Sequence, residues 1–470
     1  MKAYTMLSLV GYHCSGSSRL RLLPLAAWLE WLAVAALVLI PVSVRGTTWV
    51  VPDDFSTLQA AVVDDRVQSN DVVLVRWRAE PYVGQVSTTM AKSDFNKKCE
   101  LNLATTKKRL YFRRYPGDTQ APVLEFARTV DCPADVHVWL KYGGELSGFT
   151  LRGPGTLVPG LSGVGFPAES LVAGNTISNY SGTGVQAYCA ANAYGIPSGV
   201  RNNLIAFNGT GIDNGDVQHI HSGNIVMGNN VGLWLVSGSS AQVFNNLIVS
   251  NTVGVRAESH VAAWATYPEI LNNTFYSNHV GIEMVWTTNG APISASIRDN
   301  IFAHNSGEAI DANTVYGPML CTGPGTLATN QGGCYAQIRN NLFFQNNGAT
   351  DPSDPLYRVS NFWYRIEWDP SSGRTNIVMH VPNPGGDPTE YGNRMVSCLF
   401  EDPLFASEPP WSGANPWTLK PTSPCLDRGS RNLRLGYIAV GPSTEPGGNP
   451  LTDVGRLDIG YHRPLPVLPR

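Results

Sequence analysis

The sequence predicts an all-β chain, a right-handed parallel β-helix, and three observations carry that prediction. Between Asn175 and Asn347 a segment recurs at about 21 or 22 residues with longer loop insertions, a period in the range of solenoid repeats. The recurring residues are β-branched or aromatic in short runs punctuated by Asn and Gly, which describes brief strands and turns. Charged residues are only 15% of the 470, with 47 Gly, 33 Pro and 43% hydrophobic residues: a turn-rich chain able to bury a large core and unlike a disordered one. A net charge of −3 without a long basic run argues against nucleic acid as a partner.

The chain opens with Lys2, Arg19 and Arg21 ahead of an apolar run from Trp31 to Val44, the pattern of an export signal, and Gly46 is small enough for a cleavage site. The run falls short of the about 20 residues that span a bilayer comfortably. Residues 1–46 therefore read as a cleaved signal peptide or as a retained N-terminal membrane anchor. Either outcome makes the protein secreted or cell-envelope, extracellular or periplasmic, where cysteines are oxidised. After Cys14 come Cys99, Cys132, Cys189, Cys321, Cys334, Cys398 and Cys425. Nearness in sequence favours Cys321 with Cys334, then Cys99 with Cys132 and Cys398 with Cys425, leaving Cys189 over.

Residues 47–350 read as the β-helix with its N-terminal cap, 351–401 as an aromatic-rich insertion, and 402–470 as a C-terminal coil and cap. A solenoid exposes its core at both ends and needs caps. Ser56-Thr-Leu-Gln59 has the capping-box pattern and precedes Leu58, Ala61 and Val62, giving a short amphipathic helix to cover the first coil. The insertion gathers Phe362, Trp363, Tyr364 and Trp368, an aromatic cluster read as packing. Phe405, Trp411, Trp417 and Leu426 supply apolar surface to close the last coil.

Four copies of the repeat align: Asn203-Leu-Ile-Ala-Phe-Asn208-Gly-Thr-Gly211-Ile212, Asn224-Ile-Val-Met-Gly-Asn229-Asn-Val-Gly232-Leu233, Asn246-Leu-Ile-Val-Ser-Asn251-Thr-Val-Gly254-Val255 and Asn273-Thr-Phe-Tyr-Ser-Asn278-His-Val-Gly281-Ile282. Copies at Asn300 and Asn341 lose register at the glycine, and Asn175 opens a looser one. An Asn amide both donates and accepts, so identical side chains stacked at strand spacing form a ladder. The glycine is expected to supply a left-handed turn. A leucine-rich-repeat horseshoe also uses Asn ladders, but its Leu spacing is absent.

Val51-Pro-Asp-Asp-Phe55-Ser-Thr-Leu-Gln59-Ala-Ala-Val, Asn70-Asp-Val-Val-Leu-Val75 and Tyr82 resemble the opening of pectin-lyase-like right-handed β-helix proteins. Asp402-Pro-Leu-Phe405, Leu419-Lys-Pro-Thr-Ser-Pro-Cys-Leu-Asp427-Arg-Gly429 and Asp453-Val-Gly-Arg-Leu-Asp458-Ile-Gly460 are similar to closing segments of exported, mostly bacterial members. The resemblance spans roughly residues 47 to 464 and implies the fold. It carries no catalytic residue across, because the fold hosts many chemistries and the Asn-Thr-Asp, Gly-His-Gly and Arg-Ile-Lys runs of polygalacturonases are absent.

Strand residues alternate between faces, so Ile212, Leu233, Val255, Ile282 and Ile310 are expected inside. Asp213, Trp234, Arg256, Glu283 and Asp311 then stack outward, one per coil, with Gln186 extending the row and Glu258, Val285 and Asn313 one step further out. Aligned carboxylates, an arginine and a tryptophan are the groups that hold and cleave a sugar polymer. Trp234 stacks on a pyranose, Arg256 grips a uronate or takes part in proton abstraction, and Asp213, Glu258, Glu283 and Asp311 are the catalytic candidates. Glu283 and Asp311 on adjacent coils would stand about 5 Å apart, as in retaining glycosidases, and Glu258 and Glu283 roughly 8 Å, nearer inversion. Outward polar residues are also what any solvated sheet face carries. His260, Trp264, Tyr267 and Trp286 border this strand in loops and belong to a groove wall.

Asp216-Val-Gln-His219-Ile-His221 sets two histidines on one side of a strand, candidates for substrate contact, acid/base work or metal binding. Asp213 and Asp216 nearby suit Ca²⁺. The expected function is action on or binding of a polysaccharide, as a hydrolase or a lyase, with a non-catalytic adhesion or carbohydrate-binding protein as the alternative.

Overall fold

Two files of asparagine set the geometry of the solenoid. In the computed structural model one file runs Asn175, Asn203, Asn224, Asn246, Asn273, Asn300 and Asn341, each Nδ2 donating to the Oδ1 of the next at 2.9–3.0 Å. A second file runs Asn208, Asn229, Asn251, Asn278, Asn305 and Asn346. Asn246 shows how fully each amide is used. Its Oδ1 accepts from the backbone N and Nδ2 of Asn224 at 3.0 and 2.9 Å, and its Nδ2 also donates to the His221 and Phe244 carbonyls at 2.8 and 3.0 Å. Such groups are tolerated in a dry interior because none is left unpaired.

The structure describes residues 46–84, 86–87, 108–126, 136–140, 142–166, 170–187, 198–215, 218–236, 238–260, 266–287, 293–316, 334–346, 363–369, 374–380, 394–396, 398–399, 401–407, 417, 419–426 and 459–460. Residues 1–45, on which the expected export signal or anchor falls, lie outside them. Each coil gives one strand to each of three sheets, here A, B and C, so every strand pairs with its equivalent one coil away. Sheet A begins Thr48–Val51, Val72–Val75, Leu110–Arg114; sheet B includes Leu204–Ala206, Ile225–Met227, Leu247–Val249; sheet C includes Thr210–Asn214, Val231–Leu235, Val253–Ser259, Val280–Thr287 and Ile310–Tyr316. All coil-to-coil pairings are parallel, and crossovers between parallel strands take the right-handed sense. The fold is the right-handed parallel β-helix.

Ile212, Leu233, Val255, Ile282 and Ile310 are fully buried, so the alternation read from sequence holds. Phe275, Phe302 and Phe343 stack along the axis with centroids 4.7 and 5.2 Å apart. The repeat glycine, however, is not the left-handed residue. Positive φ belongs instead to the residue before each ladder Asn, as at Asn245 (53°), Ser250 (54°), Asn272 (53°) and Ser277 (53°). Gly211, Gly232 and Gly254 are needed for space, since a Cβ on each would collide with the carbonyl of the next repeat glycine; at Gly281 the collision is with the Ala309 carbonyl. Ala309 takes the glycine's place in the following coil, which accounts for the lost register there.

Both ladders step by the same intervals, 21, 22, 27, 27 and 41 residues. The span across sheet B, from one file to the other, is therefore constant in length. Apart from one extra residue between Asn305 and Ile310 and the one in the strand after Asp311, the insertions enter between sheets C and A.

At the N-terminus the helix Leu58–Val63 buries Leu58, Ala61 and Val62 as expected, but its N-cap is Thr57, whose side chain accepts from Ala60 N at 3.0 Å. The start one residue later than the Ser56-to-Gln59 box follows from that bond. Buried Lys108 donates to the Val62 and Asp64 carbonyls at 2.9 and 2.8 Å, capping the other end. Within the 351–401 insertion, Trp363–Asp369 and Arg374–His380 pair antiparallel and extend sheet A through Arg394–Val396.

The C-terminal aromatics do not close the last coil. Phe405, Trp417, Leu419, Cys425 and Ile459 pack along the outer face of sheet B, against Ile225, Leu247, Val249, Tyr276, Ile301 and Leu342. Tyr276 meets Trp417 edge-on at 5.3 Å and Phe405 at 5.9 Å. Trp411 lies outside the described residues. This course also overturns the Cys398–Cys425 disulfide: no bond joins them, because Cys398 packs against the inner core and Cys425 sits in the outer cluster. Cys99, Cys132, Cys189 and Cys321 lie outside the described residues, as does the Cys334 side chain.

Candidate functional site on sheet C

Register fixes the outer row. Gln186 pairs with Asp213, Asp213 with Trp234, Trp234 with Arg256, Arg256 with Glu283 and Glu283 with Asp311. The structure extends the row backward through Gly165 to Trp139. Steps of about 4.8 Å make it a file parallel to the solenoid axis. Its strands lengthen from 5 residues at Thr210–Asn214 and Val231–Leu235 to 7 and 8 at Val253–Ser259 and Val280–Thr287, so the face widens beside Arg256 and Glu283.

The row's side chains hold one another. The Trp234 indole N–H donates to Glu258 Oε2 at 2.9 Å, fixing the ring across the adjoining coil. Arg256 Nε donates to Glu283 Oε2 at 2.5 Å, and Arg256 remains 32% exposed. Among the described residues the contact to Glu283 is made through Nε, which leaves its terminal guanidinium nitrogens available. Asp213, between Gln186 and Trp234, has its carboxyl pushed up to about 6 by burial, against the opposing hydrogen bond from the Gln186 amide. A carboxyl titrating near neutrality beside an aromatic ring is suited to proton transfer. His260 is exposed, with Nδ1 3.9 Å from Glu258 Oε1.

Glu258 pairs in register with Val285, but Asn313 does not continue that second row. A bulge between Asp311 and Thr314 gives Val285 the partner Thr314, since one extra residue in the strand shifts the alternation. Tyr267 is 55% exposed. Trp264 and Asp216, and the side chain of Trp286, lie outside the described residues. Trp139 is the residue that sequence reasoning missed: its indole lies against Gly165, where any Cβ would collide with the ring. A Gly one coil from an outward Trp is the only signal, and the early coils lack the Asn repeat that would have aligned it.

His219 and His221 are placed elsewhere. They share one side of their strand as expected, but that side is the interior, with exposures of 1% and 0%. His219 Nδ1 contacts Ser198 Oγ at 2.7 Å, and His221 Nε2 meets Asn214 Oδ1 at 2.9 Å. Burial, reinforced by His219, drives the His221 pKa down to about 3. An enclosed pair cannot touch a polymer, so both leave the set of substrate-binding residues. Among the described residues no group of three His, Cys, Asp or Glu side chains is arranged to hold a metal.

No protein-family model and no curated protein matches the chain. Among solved structures it is similar to the mannuronan C-5 epimerase A-module of Azotobacter vinelandii, at 14% identity over 62% of this chain and 74% of that one, with a TM-score of 0.41. It is also similar to a tailspike protein mutant of E. coli bacteriophage HK620 solved in complex with a hexasaccharide, at 12% identity over 67% of this chain and 60% of that one, TM-score 0.30. These likenesses concern the backbone course alone.

Proposed function

We propose that the outer face of sheet C binds an extracellular polysaccharide and cleaves it, as a hydrolase or a lyase, with Asp213 moving the proton. The observation that supports this reading most is the desolvated carboxyl of Asp213, with a pKa near 6, in register beside Trp234 on an outward strand face. In this reading Trp234 and Trp139 stack on sugar rings. Arg256, steered by Glu283, presents its fork to a uronate carboxylate. Asp311 and Glu258 supply further carboxylates, and His260 and Trp264 border the groove. Export through the N-terminal segment brings the protein to such a polymer, and no metal is assigned.

The test is the secreted form against neutral and uronic polysaccharides, with and without Ca²⁺, reading reducing ends and unsaturated products together. Reducing ends alone mean hydrolysis, and unsaturated ends mean a lyase. Asp213→Asn is expected to lower turnover at least 10²-fold and to remove a pH limb near 6; unchanged turnover sinks the assignment. The Arg256–Glu283 ion pair favours a second reading, a carbohydrate-binding surface without catalysis, because it occupies a carboxylate that cleavage would use. Binding on the same panel without product would establish it.

A further inference from the structure

The outer face of sheet A carries a different arrangement, away from the sheet C row. Strand Ile293–Arg298 alternates buried Ile293, Ala295 and Ile297 with outward Ser294, Ser296 and Arg298. The next coil sets Arg339 in register beside Arg298, and the previous one sets Glu269 beside Ser296. Together they line an open depression of about 320 Å³.

Like charges on neighbouring coils repel, and natural strands usually place an opposite charge there. Elsewhere on this sheet that is the case: Arg113 pairs with Glu145 at 2.6 Å. Among the described residues neither Arg298 nor Arg339 has such a partner, and the buried Arg298 Nε has no acceptor. Glu269 accepts instead from Gln242 Nε2 at 3.2 Å. Among the described residues two guanidiniums without a carboxylate partner and two serine hydroxyls line this concave site, with the Glu269 carboxylate at its edge held by Gln242. Planar guanidinium forks match carboxylate and sulfate oxygens in pairs.

We propose that this depression binds the oxyanion substituent of an acidic glycan, through Arg298 and Arg339 with Ser294 and Ser296 as neutral donors. It is a second binding site, independent of cleavage on sheet C. It serves to hold the polymer, and no bond is made or broken there.

Titration calorimetry on the secreted form carrying Asp213→Asn and Trp234→Ala isolates this face from the other. The probes are a galacturonate hexamer, a heparin-type sulfated hexamer and maltohexaose. At least one acidic hexamer is expected to bind with a stoichiometry near one, weakening as salt rises, while maltohexaose gives no signal. The hexamer that binds identifies the substituent as carboxylate or sulfate. Arg298→Gln with Arg339→Gln is expected to lower that affinity at least tenfold, and Arg113→Gln to leave it unchanged. Arg339 is exposed, so Arg339→Gln alone preserves the fold and should still weaken binding several-fold. No acidic binding, equal binding of maltohexaose, or affinity indifferent to Arg339→Gln would each overturn the proposal. Because sheet C is already disabled, failure here leaves the cleavage reading intact.

Discussion

The outer faces of sheets B and C obey the same alternation and belong to the same coils, yet they carry opposite chemistry. On sheet B the outward positions are Ile225, Leu247, Val249, Tyr276, Ile301 and Leu342, and the C-terminal segment buries them under Phe405, Trp417 and Leu419. On sheet C the equivalent positions are Gln186, Asp213, Trp234, Arg256, Glu283 and Asp311, all half-buried. An outward strand position does not by itself demand polarity. Its residue follows from what it meets. Sheet B meets the chain's own tail, so an apolar face is stabilising there; sheet C carries charges and an aromatic ring braced by its neighbours, which the solenoid does not require.

Removing one aromatic from each face should separate the two most sharply. Trp417→Ala empties a filled cluster and is expected to cost about 3–5 kcal/mol, read by denaturant unfolding. Trp234→Ala should cost about 1 kcal/mol or less while abolishing glycan binding at the sheet C face; equal losses of stability would break the comparison. Next is Asp213→Asn, whose effect has the opposite sign. Burial raises the carboxyl to about 6 in the folded chain from 3.8, so the folded state keeps a proton that the unfolded state releases. Stability accordingly falls as pH climbs from about 4 to 6, by roughly 3 kcal/mol at most. The amide should restore that amount above pH 6 and nothing below pH 4, checked by unfolding at both ends of the range. The smallest effect is expected for Glu283→Gln, within about 1 kcal/mol of the parent because the partly exposed pair is screened; a larger loss would make the pair structural.

How much of this was legible depended on what a period can tell. The Asn–Gly repeat fixed both the strand period and its phase, so Ile212 and its equivalents could be placed inside and the Asp213-to-Asp311 row outside. For His219 and His221 the period gave a shared side, but no repeat residue nearby said which side, and the interior was the answer. Cys398 and Cys425 are close in sequence but separated by the thickness of a sheet. The bulge after Asp311 needs one uncounted residue, which alternation cannot foresee. The raised pKa of Asp213 depends on burial and on neighbours from two other coils, information that appears only once the coils are stacked.

The equal steps of the two asparagine files have a consequence for how such a chain can change over evolutionary time. From Asn203 to Asn208, and at every later copy, five residues cross sheet B without variation, whereas the remainder of the coil, chiefly the return from sheet C to sheet A, absorbs differences of up to 20 residues between coils. Inheritance can therefore lengthen, shorten or exchange those returns one at a time without disturbing the scaffold. In the order of the chain the same returns join the strands of the sheet C row to the sheet A strands of the Arg298–Arg339 depression. A new preference for a polymer can arise by editing them alone, with the framework passed on unaltered.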